Sequence, residues 1–222
     1  MIGHKNYHGF TCSSLTKANT MKLLHLDSSI LGQNSVSRLL TAALVEAVRQ
    51  RHADVNVTYH DLAAEPIAHL SGEIIGANFT PEAEWNDTQR RESALSNSLI
   101  EEFLAADVVV IGAPMYNFSI PSQLKSWIDR VAAAGRTFKY TENGPVGLAG
   151  NKKVVIASSR GGVYSTEQAQ VMDFQEDYLR TVLGFLGVTD VEIIRAEAVN
   201  MGEDKRATAI HAAKDAISKL AI

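Results

Sequence analysis

Residues 106–121 read ADVVVIGAPMYNFSIP, and this stretch decides the fold class of the chain. It opens with an apolar, β-branched run that is too short to cross a membrane and does not alternate with polar residues, which is typical of a strand covered on both faces in a parallel sheet. We expect the strand to stop at Gly112, because Pro114 cannot continue a central strand. Pro121 suits the first turn of a helix, which we predict over residues 121–134.

A strand, a loop with polar and aromatic side chains, and a helix together form the kind of corner at which open α/β sheets hold ligands. An ordinary turn between two core elements would show the same residues, so this stretch alone leaves both interpretations open. Elsewhere, four segments have the composition of strands, namely 22–27, 55–61, 153–158 and 191–196. Four more have helical spacing, namely 38–48, 89–104, 174–186 and 205–220.

This alternation predicts a doubly wound, five-stranded parallel sheet with helices on both faces, in a single domain over residues 21–222. Two connections are longer than the others. Residues 62–88 contain several prolines and glycines, and we interpret them as an excursion over the surface. Residues 136–148 contain two aromatic residues followed by the turn signal Asn143-Gly144-Pro145, and we interpret them as a loop that covers part of the molecule.

Composition and charge exclude several classes of protein. Of the 222 residues 45% are hydrophobic and the formal net charge is −4, so we expect a folded protein that does not bind nucleic acid. No stretch approaches the roughly 20 apolar residues of a membrane helix. The sequence has a single cysteine, Cys12, which excludes an internal disulfide and fits a reducing compartment, so we expect a cytoplasmic protein.

Residues 1–20 differ from the rest of the chain, because they are polar and lack the apolar centre of a signal peptide. We interpret them as a flexible leader without function, with Met21 as a natural start. His4, His8 and Cys12 are spaced four residues apart. Two further ligands and a rigid element are missing, so no metal site is predicted.

Three of the predicted strands end in distinctive residues. The first ends beside hydroxyl groups at the start of a helix, those of Ser28, Ser29, Ser35 and Ser37. Hydroxyl groups and the free N–H groups of a helix start bind anions well, but N-capping by Ser35 or Ser37 would explain the same residues. Residues 115–118 offer an apolar and aromatic surface for a flat ring. Gly161 and Gly162 allow close approach of the backbone to a ligand, or a simple turn.

Missing motifs narrow the choice of ligand. No G-x-G-x-x-G follows the first strand, no G-x-x-x-x-G-K-[ST] phosphate loop is present, and no G-x-S-x-G elbow is present. The hydroxyl groups suit one phosphate, and the other two strand ends suit a planar ring with polar edges. This combination describes FMN.

Four segments together resemble the bacterial FMN-dependent NADH:quinone oxidoreductases known as azoreductases, namely Asp27–Leu31, Ala113–Phe118, Thr137–Pro145 and Ser158–Gly162. The similarity extends from Met21 to near the C-terminus. It implies a flavodoxin-like fold and a homodimer with one FMN per subunit. It also implies NADH or NADPH as the electron donor, and quinones and azo compounds as substrates.

The resemblance also implies site residues. Serines 29, 35 and 37 would hold the FMN phosphate, and the complete FMN-binding set is Ser29, Ser35, Val36, Ser37, Met115, Tyr116, Asn117, Phe118, Ser159, Arg160, Gly161 and Gly162. Tyr140 and Phe185 match positions that line the substrate pocket. No side chain is assigned as catalytic, because the flavin carries the chemistry with help from the backbone of Asn117, Gly161 and Gly162. Val36 stands where relatives can carry a polar residue, and the stretch after Gly162 differs from theirs in length and residue type.

The implied reaction is a ping-pong transfer. Hydride passes from the nicotinamide to flavin N5, and the oxidised nicotinamide leaves. A quinone then accepts two electrons at the same ring face. An azo bond would accept electrons in the same way and be reductively cleaved. The alternative is a flavodoxin-type FMN electron carrier without its own substrate pocket. Such carriers are usually strongly acidic so that they can dock partners, and the two long connections suit a walled pocket better.

Aromatic residues predict the assembly. We expect Trp127 to be exposed on the helix over 121–134, and Tyr178 and Phe185 to lie close to another corner on the helix over 174–186. Apolar surface beside a site usually marks an interface. We therefore expect a two-fold homodimer in which aromatic residues of one subunit, Phe185 first, help to wall the flavin pocket of the other, although burial of Phe185 in its own core is the alternative.

Overall fold

A five-stranded parallel sheet lies at the centre of the computed structural model, which describes residues 20–222. In chain order the strands are β1 (Met21–Asp27), β2 (Val55–Asp61), β3 (Val108–Pro114), β4 (Phe138–Thr141), β5 (Gly144–Gly147), β6 (Lys153–Ser159) and β7 (Asp190–Ala196). The main sheet has the order β2-β1-β3-β6-β7, and its four neighbouring pairs are all parallel. The expected doubly wound sheet is thus confirmed. β4 and β5 form a separate antiparallel hairpin.

Helices connect the strands and cover the sheet. They are α1 (Val36–Arg51), α2 (Gly72–Gly76), α3 (Asp87–Ala105), α4 (Ser122–Val131), α5 (Glu167–Gln170), α6 (Glu176–Phe185) and α7 (Glu203–Lys219). Single 3-10 turns occur at Gly32–Asn34, Ala77–Phe79 and Glu82–Glu84. The excursion predicted over residues 62–88 therefore contains α2 and two of these short turns.

The sheet separates two hydrophobic cores. On one face α3, α4 and α6 pack on the strands, and the rings of Phe103 and Trp127 meet edge to face at 5.5 Å. On the other face α1 and α7 contribute residues such as Leu40, Leu44 and Ile217. All seven residues of β3 are buried, as the continuous apolar run predicts for a strand covered on both sides. The strand order reverses between β1 and β3, and this is where a doubly wound sheet opens at its carboxyl edge.

Strand β3 is longer than the sequence suggests, since it continues past Gly112 to Pro114. The ladder with β1 ends at Asp27 and Gly112, whereas the ladder with β6 continues to Pro114 and Ser159. Alternate residues of a strand face opposite neighbours, so the ring nitrogen of Pro114 faces the side on which β1 has already ended. Its missing N–H group costs no ladder hydrogen bond there.

Two other expectations were wrong. Residues 136–148 are not an irregular loop, because most of them form the β4–β5 hairpin around the Glu142-Asn143 turn. Trp127 is not exposed but 1% accessible, because it lies on the inner face of α4 against Phe103. It therefore gives no support to an interface.

The leader proposed for residues 1–20 lies outside the described residues except for Thr20, whose hydroxyl donates to Asp54 at 2.5 Å. His4, His8 and Cys12 also lie outside them. Among residues 20–222, no helix is both long enough and apolar enough to cross a membrane.

Candidate functional site

The first corner of the site lies between β1 and α1 and contains the predicted serines. Ser35 is the N-cap of α1, and its Oγ accepts from the backbone N–H of Arg38 at 3.2 Å and lies 3.0 Å from the Oγ of Ser37. Both serines are buried. Val36 and Ser37 occupy the first turn, where backbone N–H groups have no acceptor within the helix. The side chain of Val36 belongs to the core, so only its main chain faces this corner.

Ser35 therefore caps the helix, and the corner still offers hydroxyl and N–H groups to an anion. The two interpretations of this sequence pattern are compatible rather than exclusive.

The second corner, after β3, is a tight turn between Tyr116 and Ser119. These two residues exchange backbone hydrogen bonds of 2.9 and 3.1 Å. Asn117 and Phe118 between them have φ angles of 48° and 71°, as the central residues of a type I′ turn require. A positive φ is unusual for a bulky residue and costs on the order of 1–3 kcal/mol. The turn holds the Phe118 ring, which is 44% exposed, 6.2 Å from the ring of Tyr164.

Direct hydrogen bonds connect the three corners. The hydroxyl of Tyr116 lies 3.1 Å from the Oγ of Ser29 and accepts from the backbone N–H of Ile30 at 3.2 Å, which joins the second corner to the first. The backbone N–H of Met115 donates to the carbonyl of Ser159 at 2.8 Å, which joins the second corner to the third. The corners therefore form one continuous site at the carboxyl edge of the sheet.

The third corner follows β6 and is built from main chain. The carbonyl oxygens of Gly161 and Gly162 accept from the backbone N–H groups of Asn200 and Ala198 at 3.1 and 2.9 Å. Their own N–H groups have no acceptor within residues 20–222. A Cβ on Gly161 would lie 2.8 Å from Nδ2 of Asn200, so glycine permits this close approach. The corner leaves two main-chain donors for a ligand.

Arg160 lies in the third corner, but its side chain is turned into the protein and is only 1% exposed. Its Nη2 lies 2.7 Å from carboxylate oxygens of both Asp173 and Glu176, and its Nη1 lies 3.2 Å from Glu197. The guanidinium group thus fastens residues 173–176 to the end of the sheet. Arg160 can therefore contact a ligand only through its main chain.

Glu197 is held as a carboxylate by its neighbours. Burial raises its pKa, but hydrogen bonds from the Ser165 hydroxyl at 2.6 Å, the Tyr164 backbone N–H at 2.8 Å and Arg160 outweigh burial, so the pKa of Glu197 lies below its ordinary value of 4.5. The start of the segment after Gly162 is therefore tied to the end of β7.

A cleft of about 640 Å³ lies beside the second corner. Its walls come from the start of α4 and from residues around the start of α6, namely Ser119, Ile120, Ser122, Lys125, Asp173, Phe174, Asp177 and Tyr178. The backbone N–H of Phe174 donates to the carbonyl of Phe118 at 3.0 Å, and the Ser119 hydroxyl donates to the carbonyl of Phe174 at 3.2 Å. The cleft is thus continuous with the turn. Of its residues, the sequence patterns singled out only Tyr178.

Tyr140 and Phe185, predicted to line a substrate pocket, lie apart from the three corners of this chain. Helix α6 begins beside β6, where Gln175 lies 3.3 Å from the Ser158 hydroxyl, and its ten residues extend about 15 Å towards the opposite edge of the sheet. Phe185 at the far end packs on Phe138 with ring centroids 4.6 Å apart. Tyr140 on the hairpin is 74% exposed.

Sequence reasoning missed a polar network beside the first corner. Arg38 in the first turn of α1 binds both carboxylate oxygens of Asp61 at the end of β2. The two residues are 23 positions apart, and the sequence marks them only as charged residues next to a helix start and a strand end. Their pairing depends on β2 lying beside β1.

Fold and site together define a flavodoxin-like α/β protein, and a family model described as "Flavodoxin-like fold" matches residues 21–221. The FMN-dependent NADH:quinone oxidoreductase of Chromobacterium violaceum is 74% identical over 202 residues, which cover 91% of this chain and 100% of that protein. The protein of the same name from Azospirillum brasilense is 59% identical over 204 residues, covering 91% and 98% of the two chains. The chain therefore belongs to the family of FMN-dependent NADH:quinone oxidoreductases.

A solved structure agrees with this membership. The azoreductase from Bacillus anthracis has a TM-score of 0.82 and 31% identity, covering 90% of this chain and 98% of that chain. The family inferred from the four sequence segments is thus confirmed.

Proposed function

We propose that this chain binds FMN and uses NADH or NADPH for the two-electron reduction of quinones and the reductive cleavage of aromatic azo compounds. The observation that supports the proposal most strongly is that the three corners are continuous. Tyr116 joins the aromatic turn to the hydroxyl-lined start of α1, and Met115 joins it to the corner with the two free N–H groups. Relatives that share most of the chain carry the name FMN-dependent NADH:quinone oxidoreductase, which supports the same assignment.

The chemistry of the donors fits FMN. The first corner has neutral hydroxyl and N–H donors at a helix start, which suit one phosphate group. The third corner has two unpaired N–H groups, which suit the polar pyrimidine edge of a flavin. We propose that the side chains of Ser29, Ser35 and Ser37 and the backbone of Val36 bind the phosphate. Residues 115–118 would contact the ribityl chain and the ring. The pyrimidine would be bound by the main chain of Ser159, Arg160, Gly161 and Gly162.

When bound, FMN supplies hydride acceptance from the nicotinamide at N5 and hydride delivery to the second substrate. The residues of the chain position both substrates and exclude water. Phe118, Tyr164 and the 63%-exposed Phe174 form an apolar rim at the site. Because both substrates would use the same ring face, they bind in turn, and ping-pong kinetics follow.

The proposed assembly is a homodimer that completes the pocket. Phe185 lies at the far end of α6, about 15 Å along the helix from the carboxyl edge of the sheet. Tyr140 lies with it at that end, because both rings pack on Phe138. If these residues wall a pocket, it is the pocket of a second copy, which a two-fold interface would bring together. Light scattering of the flavin-loaded protein should give about twice the mass of one chain. Phe185→Ala should raise the quinone KM and leave FMN bound, whereas loss of the fold would mean that Phe185 serves only its own core.

The decisive experiment begins with the visible spectrum of the purified protein, followed by heat release and chromatography of the flavin. FMN is expected, and FAD or no flavin would reject the proposal. Initial rates of NADH oxidation with a benzoquinone should then give parallel reciprocal plots. Intersecting plots with a ternary complex would exclude the shared ring face. Bound FMN without quinone-dependent NADH oxidation would favour an electron carrier instead.

A further inference from the structure

Arg38 lies in the first turn of α1, and all five N–H donors of its guanidinium group have acceptors. Nε and Nη2 donate to the carbonyl oxygen of Ser29 at 3.3 and 2.9 Å. Nη1 and Nη2 donate to the two carboxylate oxygens of Asp61, each at 2.6 Å. Nη1 also donates to the hydroxyl of Tyr59 at 3.3 Å. No donor of this side chain remains for a ligand.

The charge of Arg38 is compensated within the protein. Asp61 binds it with both oxygens, and Oδ2 of Asp27 lies 3.9 Å from Nη1. The hydrogen bond between Arg38 and Asp61 lowers the pKa of Asp61 and raises the pKa of Arg38, so the pair stays ionised. The guanidinium group therefore brings no net positive charge to the first corner.

The carbonyl held by Arg38 controls the geometry between two corners. It belongs to the peptide group that joins Ser29 to Ile30, and peptide groups are planar. Fixing the Ser29 carbonyl therefore also fixes the direction of the Ile30 N–H group, which donates to the hydroxyl of Tyr116 at 3.2 Å. The Ser29 side chain lies 3.1 Å from the same hydroxyl.

We propose that Arg38 is a positioning residue for the phosphate of FMN, acting through Ser29 with Asp61 as its support and without contacting the phosphate. This inference rests on the proposed FMN-dependent function. An arginine beside an anion site would ordinarily bind the anion with its own forked donors. Here Asp61 and Ser29 already occupy the fork. Lysine carries the same charge but lacks the rigid planar fork, so it cannot hold both partners in this geometry.

The test compares the affinities of FMN and riboflavin, which differ by the phosphate. Flavin is removed from the purified protein, and binding of each flavin is measured by fluorescence for wild type, Arg38→Gln, Arg38→Lys and the control Arg49→Gln on the exposed end of α1. Both Arg38 variants should bind FMN roughly tenfold more weakly while their affinity for riboflavin stays within about twofold. The control should match wild type.

Three results would overturn the inference. Wild-type FMN affinity in Arg38→Lys would mean that the charge attracts the phosphate directly. An equal loss for FMN and riboflavin would mean that Arg38 only maintains the fold. Unchanged FMN affinity in both variants would mean that it has no role. A wild-type protein that binds neither flavin would instead reject the proposed function itself.

Asp61→Asn provides a second measurement that does not depend on the folding of the Arg38 variants. It keeps one acceptor oxygen and the side-chain volume, but it removes the main counter-charge of Arg38 and leaves only Asp27 at 3.9 Å. A positioning role predicts a smaller loss of FMN affinity in the same direction, again with riboflavin affinity little changed. A gain of FMN affinity would show direct attraction by the charge and would contradict the inference.

Discussion

The first and third corners of the site differ in the atoms that they present. The first presents side-chain hydroxyl groups at a helix start, whereas the third presents main-chain N–H groups of two glycines. Each contains an arginine that is bound by carboxylates of the protein, but Arg38 faces mainly Asp61 near the surface, and Arg160 is buried among three carboxylates. The difference indicates that side chains set the properties of the first corner and backbone shape sets those of the third.

The largest effect is expected from Arg160→Met in the third corner. This change leaves Asp173 and Glu197 without the buried cation, whereas Glu176 keeps its ion pair with Arg195. Breaking a buried ion pair in this way costs about 3–5 kcal/mol of unfolding free energy. Urea denaturation followed by circular dichroism measures the loss. Arg180→Met on the exposed face of α6 is the control and should lose less than about 1 kcal/mol. An equal loss of unfolding free energy in the two variants would contradict the expectation that the buried ion pairs of Arg160 stabilise the fold.

Phe118→Gly tests the Tyr116–Ser119 turn, which forms the second corner and lies between the first and the third. Glycine accepts the positive φ of 71° without strain, so the unfolding free energy should rise by about 1 kcal/mol while quinone reduction falls. Asn151, whose φ is 63° in the connection between β5 and β6, provides the control. Asn151→Gly should leave turnover unchanged. A Phe118→Gly protein that is both less stable and fully active would contradict this account.

Serine variants test most directly whether the first corner acts through side chains and the third through its main chain. Ser35→Ala should cost about 1 kcal/mol of unfolding free energy, because Ser35 caps α1, and it should also weaken FMN binding. Ser37→Ala should weaken FMN binding with little effect on stability. Ser159→Ala in the third corner should change neither, because that corner is expected to act through its main chain. Isothermal titration and urea denaturation give both quantities, and a large loss of FMN affinity in Ser159→Ala would refute the distinction.

The smallest expected effect is a pH dependence of the unfolding free energy that comes from Glu197 beside the third corner. The pKa of Glu197 lies below its ordinary value of 4.5, so its ionised form stabilises the folded state above that pH. This contribution is lost as the pH falls through the lower pKa of the folded protein. The urea midpoint of wild type should therefore fall more steeply below about pH 4.5 than that of Glu197→Gln. Parallel pH profiles of the two proteins would exclude this contribution.

The sequence predicts the parts of the fold that depend on local pattern. The apolar run at Val108–Ile111 and the alternation of strands with helices lead to the five-stranded sheet, and the glycines and serines at strand ends mark the three corners. The β4–β5 hairpin was missed because a turn signal after a short aromatic segment does not distinguish a hairpin from a loop. The burial of Trp127 was missed because only the packing of α4 against α3 decides which face of the helix is covered.

Pairings between distant residues could not be read from the sequence. Arg38 meets Asp61 only because β2 lies beside β1, and Arg160 meets Glu197 only because β7 lies beside β6. The motif around Arg160 predicts a ligand-binding residue, yet its side chain serves the interior. A charged residue within a binding motif thus does not reveal whether its side chain or its backbone faces the ligand.

The double attachment of the segment after Gly162 has a consequence for evolution. Glu197 holds its start through Tyr164 and Ser165, and Arg160 holds its end through Asp173. Residues 166–172 between these attachments can change in length and composition while the glycine corner keeps its shape. Mutational drift in this short segment can therefore proceed without disturbing the two attachments or the main-chain N–H groups of Gly161 and Gly162.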